Sequence, residues 1–289
     1  MPTKTEKDLV TGTATTGHEW DGIKELDTPL PKWWLYVFYA TIAWALAYYV
    51  LYPAWPSFSS HTSGVLGFWS RTEIRERLAE QTAQRAPFLE RLRATPLDRI
   101  ESQPDLLNFA IAGGRAAFLE NCAPCHGSGG AGAKGFPSLA DDDWLWGGSR
   151  DAILQTITHG VRNADTDSRQ SLMPRFGTDG MLKKTEINDV AEFVLSLSGT
   201  GGDKAAAGRG RALFAENCAT CHGEKGEGNQ EMGAPNLADK IWLYGGRKAD
   251  VVESITKARA GSMPAWSGRL DDATIKMLTI YVHTLGGGK

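Results

Sequence analysis

The stretch "ENCAPCHG", residues 120–127, returns as "ENCATCHG" at residues 216–223. These two blocks hold all four cysteines of the 289-residue chain: Cys122 and Cys125 in the first, Cys218 and Cys221 in the second. A histidine follows each pair at once, His126 or His222. A Cys-x-x-Cys pair alone suits a redox disulfide, half a zinc site or a haem anchor, and the adjoining histidine favours the last. The order matches the chemistry. Two thiols separated by two residues form thioether bonds to the two vinyl edges of one haem, and the next side chain directs an imidazole nitrogen at the iron. One zinc shared by both pairs is disfavoured, because pooled pairs usually lie about 15–20 residues apart. A disulfide reading leaves two matched histidines to accident. The expected cofactors are two covalently bound haem c groups, each with its iron.

The similarity extends well beyond the blocks. "AGGRAAFLENCAPCHG" (112–127) parallels "AGRGRALFAENCATCHG" (207–223), and "PSLADDDWLWGG" (137–148) parallels "PNLADKIWLYGG" (235–246). "RDAILQTITHGVR" (150–162) answers "KADVVESITKARA" (248–260). Both copies reach a Met-Pro, at Met173 and Met263, and both close with a helical pattern, "KTEINDVAEFVLSLS" and "DDATIKMLTIYVHTL". Such self-similarity marks a duplicated structural unit. Each copy reads as helix, haem loop, short helix, Met-bearing loop and final helix, over 106–199 and 204–289. The Gly-rich "GTGGD" (199–203) is the expected hinge. A unit below about 100 residues has a marginal core, which a covalently held haem would fill.

An iron held by one histidine has a sixth position to fill. A thioether is soft and neutral and favours reduced iron. Met173 and Met263 match between copies, and each precedes a proline, which fixes φ in the ligand loop. Each is assigned to the haem of its own copy, although the sequence does not exclude an exchange. The metal ligands expected are thus His126, Met173, His222 and Met263. Met181 and Met232 have no counterparts, Met277 reads as core, and His159 is answered by Lys257. His18, His61 and His283 read as ordinary surface or core residues. "WLWGG" and "WLYGG" read as core filling, and "DDD" (141–143) as a solvated loop.

Ahead of the repeat, residues 1–32 lack a sustained hydrophobic period and are expected to be mostly irregular. Trp33–Tyr52 is a run of twenty residues without a charge, matching the ~20 residues that span a bilayer's hydrocarbon core. Aromatic residues stand at both its ends; Pro53 and Pro56 stop it. The segment starts late and runs long for a signal peptide, so 33–56 is read as a retained anchor. Residues 57–105 read as a charged connector of short helices broken by Pro87, Pro96 and Pro104. A formal charge of −3 gives no basic footprint for nucleic acid. The fold class expected is mainly α: one N-terminal transmembrane helix and two tandem c-type cytochrome domains. Since haem is attached to such motifs outside the bacterial cytoplasm, the haem domains should face the periplasm and residues 1–32 the cytoplasm of an inner membrane.

Iron closed by His and Met binds neither oxygen nor substrate easily; it exchanges single electrons. No residue is expected to be catalytic, and two such sites on a flexible tether make a wire. Residues 33–52 hold no His or Met, so an oxygen-reducing centre would belong to another chain. "GHEWDGIKELDTPLPKWW" (17–34), followed by one apolar span, a charged connector and two haem blocks, resembles subunit III of the cbb3-type cytochrome c oxidase. The resemblance covers nearly the whole chain. It implies a membrane-anchored dihaem subunit passing electrons from a donor cytochrome c toward a monohaem cytochrome c subunit and the catalytic haem-copper subunit. By the same resemblance Cys122, Cys125, Cys218 and Cys221 attach haem and the four metal ligands are axial. It also implies low-oxygen respiration, oxidative phosphorylation and proton pumping by the complex. The alternatives are a free-standing anchored dihaem shuttle and a peroxidase-like enzyme with one five-coordinate haem.

Overall fold

The computed structural model describes residues 4–286; the outermost residues of the expected segments 1–32 and 204–289 lie outside them. The chain divides into two compact units, one ending at Gln84 and one beginning at Arg85.

In the first unit, β1 (Thr15–Trp20) and β2 (Ile23–Leu26) form an antiparallel hairpin, with Trp20 opposite Ile23 and Glu19 opposite Lys24. This hairpin is regular structure within the segment expected to be mostly irregular. Asp21 and Gly22 both have positive φ, 47° and 87°, as a two-residue turn of the kind Asp-Gly favours requires. Lys24 pairs with Glu6 at 2.6 Å. Helix α1 (Lys32–Leu51) is the expected apolar span, and none of it is buried against protein. Its last turn is covered by returning chain: the amides of Val65 and Leu66 donate to the carbonyls of Val50 and Leu51 at 2.9 and 3.1 Å.

Within the expected connector 57–105, Ser70–Ala94 is one long helix, α2, that runs on through Pro87, and the break expected there is absent, whereas the helix does end before Pro96. Burial on the far side offsets the lost hydrogen bond. Leu92 is fully buried, Phe88 stacks on Phe109 at 5.0 Å, and Arg91 clasps Asp105 at 2.7 Å. Pro104 starts a helix rather than ending one, as its missing amide permits. That helix is α3 (Pro104–Asn121). The end of the 57–105 segment, with Leu97 and Ile100 buried, thus belongs to the core of the second unit.

The rest of that unit is α4 (Ala123–His126), α5 (Arg150–His159), α6 (Lys184–Leu197), α7 (Lys204–Asn217), α8 (Ala219–His222), α9 (Lys248–Lys257) and α10 (Asp272–His283). Helices α6 and α7 pack on each other although they belong to different copies, and α10 returns to pack on α3 and α5. The closing helices are therefore exchanged. Connection length explains it: only residues 198–203 separate α6 from α7, and connections this short make consecutive helices neighbours. Nor is the turn a loose tether. Its Gly202 and Asp203 amides both donate to the buried Glu192 carboxylate at 3.2 Å, and the Thr200 and Gly201 amides donate to Leu195 O. Lys248 completes the Glu192 site at 2.8 Å.

The two helix pairs are built alike. Gly114 on α3 lies where a Cβ would strike the Met277 carbonyl of α10, and Gly210 on α7 lies likewise against the Asp189 carbonyl of α6. Bare glycine lets the backbones close. One turn on, Phe118 meets Tyr281 at 5.3 Å and Phe214 meets Phe193 at 5.1 Å. Two apolar cores form around these pairs, each containing side chains from both copies.

Candidate functional site

Each Cys-x-x-Cys-His block continues the helix before it. The Cys122 and Cys218 amides donate to Phe118 O and Phe214 O at 2.8 Å. The following turn brings the His126 and His222 amides to Cys122 O and Cys218 O at 2.9 and 3.0 Å. Residues three and four apart share a helical face, so both thiols and the imidazole of each block face one way. Gly127 and Gly223, at φ 77° and 80°, then turn the chain sharply out.

Both imidazoles are buried and held in one tautomer. The His126 Nδ1 lies 2.9 Å from Pro137 O, and the His222 Nδ1 lies 3.0 Å from Pro235 O. A carbonyl only accepts, so Nδ1 carries the proton and Nε2 keeps its lone pair for a metal. Burial pushes both histidines below their usual pKa, against the smaller opposing effect of the proline carbonyls, which favours neutral rings. Burial, with the neighbouring thiol adding to it, pushes Cys122 and Cys218 up to about 11. No disulfide joins the four cysteines.

The methionines lie across the copies. Met173 lines one cavity with Cys218, Cys221 and His222, together with Phe214, Val251 and Ile255. It also packs on the core containing Cys218. Met263 packs on the core containing Phe118 and Ile153, where Cys122 and Ala123 also pack. Its backbone is pinned to the first copy: the Met263 amide donates to Val161 O at 2.9 Å, and Met263 O accepts from the Val161 amide at 3.0 Å and from Asn163 Nδ2 at 2.7 Å. Each methionine thus lies on the core that carries the other copy's Cys-x-x-Cys-His block, the arrangement that the sequence left open beside a pairing within each copy, because each Met loop travels with its closing helix. Among the other candidates, Met232 lines the Met173 cavity from the loop leading to Pro235. Met181 is exposed, and Met277 is buried with its sulfur against Gly113. His159 bonds Asp165 at 3.1 Å instead of facing a Cys-x-x-Cys block. His18 stacks on Trp20, and His61 packs at a tilt on Trp69.

The paired aromatic blocks divide their labour. Trp144 and Trp242 pack on the cores, as expected. Trp146 and Tyr244 reach across: Trp146 lies against Gly233 of the second haem loop, and Tyr244 against Gly135 of the first. An arginine stacks on each, Arg169 at 5.3 Å and Arg259 at 4.7 Å. Sequence reasoning passed over the Pro137 and Pro235 carbonyls, although the proline opening each "PSL" and "PNL" was a visible repeat.

Three family models match this chain. Residues 12–59 match the N-terminal domain of cytochrome oxidase-cbb3, FixP; residues 111–198 match cytochrome c; residues 205–282 match cytochrome C oxidase, cbb3-type, subunit III. Among curated relatives, the cbb3-type cytochrome c oxidase subunit FixP of Azorhizobium caulinodans is 57% identical, over 96% of this chain and 94% of its own. The FixP subunit of Bradyrhizobium diazoefficiens is 54% identical over the whole of both chains. The CcoP subunit of Cereibacter sphaeroides is 50% identical over 95% of each. The two repeats are cytochrome c domains, which bind c-type haem. With half or more of its residues shared end to end, the chain belongs to the family of cbb3-type cytochrome c oxidase subunit III, the FixP and CcoP proteins.

Proposed function

We propose that this chain relays electrons through two c-type haems to the catalytic part of a cbb3-type oxidase, each haem being closed by ligands from both copies. Cys122 and Cys125 would attach the first haem, with His126 and Met263 holding its iron. Cys218 and Cys221 would attach the second, with His222 and Met173 holding its iron. The observation that carries this reading is the cavity in which Met173 meets Cys218, Cys221 and His222. Bound there, haem supplies a one-electron couple whose potential a thioether ligand raises. The protein's own part is to hold the Nδ1 proton on a proline carbonyl, keep Nε2 free, present sulfur from the other copy and exclude water with apolar walls.

The chain is a non-catalytic, membrane-anchored partner of other oxidase subunits. Our finer reading is that α1 crosses the inner membrane once, with the hairpin in the cytoplasm and the haem domains in the periplasm. There they would take electrons from a donor cytochrome c and pass them to a monohaem subunit, then to the haem-copper subunit. Extraction in mild detergent through a tag on this chain tests the assignment. The b-type haem, copper and oxygen-reducing activity should co-purify. A preparation carrying only two haem c groups would support the free-standing shuttle instead.

A further inference from the structure

Just beyond α5, Arg162 adopts a left-handed backbone at φ 49° and turns its side chain toward the second copy. Its Nε donates to Gly261 O at 2.7 Å and a terminal nitrogen to Ser171 O at 3.2 Å. The guanidinium is half-buried and lines the cavity of Met173 and His222. No carboxylate among the described residues pairs with it. A charge withdrawn from water without a counter-ion is costly, so a side chain held here calls for an anion. Among the described residues, the other ionic group lining this cavity, apart from His222 itself, is Arg259. That guanidinium is already engaged, by Glu253 at 3.2 Å, Asp250 O at 2.7 Å and the Tyr244 ring.

A haem brings two propionate carboxylates, and a guanidinium fork is the best match for one. We propose that Arg162 binds a propionate of the haem attached at Cys218 and Cys221, so that the first copy supplies both the sulfur ligand and an anion anchor to the second copy's haem. This rests on the haem assignment above. It also separates the two sites. Aligning α5 with α9 places Arg162 opposite Ala260, and Arg169 corresponds to Arg259 when Met173 is aligned with Met263. The Arg162 anchor therefore has no counterpart for the first haem. A fixed positive charge beside the second haem favours its reduced form.

The test uses the intact oxidase carrying Arg162→Gln or Arg162→Lys. Mass spectrometry of the Cys218–Cys221 peptide comes first; absence of covalent haem there in the unaltered protein would defeat the haem assignment itself. With haem present, potentiometric titration should show one c-type component, the same one that Met173→Ala displaces, falling about tenfold in its reduction equilibrium in Arg162→Gln. That is about 59 mV for one electron. The other component should stay, and Arg162→Lys should recover part of the loss. Unmoved midpoints, or equal shifts in both components, would overturn the proposal. If Arg162→Gln fails to assemble, resonance Raman of the propionate bending modes decides between the unaltered protein and Arg162→Lys: a shifted band supports the contact and an identical band refutes it.

Discussion

At the scale of single residues, two carboxylates between the copies carry opposite signs. Asp250, near the start of α9, bonds Arg247 at 2.9 Å and Lys134 of the first haem loop at 2.7 Å. These partners, Arg247 foremost, lower its pKa to about 2. A depressed carboxyl stabilises the fold above its unfolded value of 3.8 and loses that contribution as pH falls through about 2. Asp250→Asn should therefore lower the unfolding temperature near neutral pH, with the deficit shrinking toward pH 2. Asp143 is raised to about 6, by burial first and then by Asp239 and Asp141. Its contribution is intact below 3.8, and the penalty is complete above about 6. Asp143→Asn should raise the unfolding temperature at neutral pH and change nothing at acid pH. Thermal scans of both variants across pH check the pair of signs. The "DDD" stretch, taken from sequence as solvated, thus includes one acid that folding pushes against its neighbour's charge.

At the scale of elements, the two crossed helix pairs depend on glycine. A methyl at Gly114 or Gly210 would meet a carbonyl oxygen of the facing helix, which cannot swing away as a side chain could. Gly114→Ala and Gly210→Ala should each cost about 1–3 kcal/mol by overpacking. Gly208→Ala, on the same helix α7 with open space around it, should gain about 0.5–1 kcal/mol from helix propensity. Denaturant unfolding of the three variants separates contact from propensity. The elements also show where sequence reading holds and where it fails. Repeat, haem blocks, matched Met-Pro sites and apolar span were legible because each is local and chemically specific. The hairpin was missed because the Asp21-Gly22 turn carries its signal in two residues, while the surrounding composition reads as irregular. Pro87 misled because its cost was weighed without the burial of Phe88 and Leu92, which only tertiary structure supplies. Which helix faces which is a long-range property, and two closing helices that are both amphipathic and occupy the same place in each copy offer no local clue to their partners.

At the scale of the whole second unit, the exchange makes the repeats interdependent. Each core takes its first helix and haem block from one copy and its Met loop and last helix from the other. Backbone bonds stitch the seam further: the Gly135 amide to Leu243 O at 2.8 Å, the Thr178 amide to Thr256 O at 3.1 Å and the Trp266 amide to Thr158 O at 3.1 Å. Cutting the chain within residues 198–203 should therefore leave two fragments that co-elute on size exclusion with their spectrum unchanged; release of a free, six-coordinate second domain would contradict this. The exchange of sulfur ligands is the central claim, and one measurement addresses it directly. In a chain carrying Cys122→Ala and Cys125→Ala, only the haem at Cys218 and Cys221 remains attached, and its ferric sulfur-to-iron charge-transfer band reports its methionine. The account predicts that Met173→Ala abolishes that band and Met263→Ala leaves it intact. Loss of the band with Met263→Ala and its survival with Met173→Ala would contradict it.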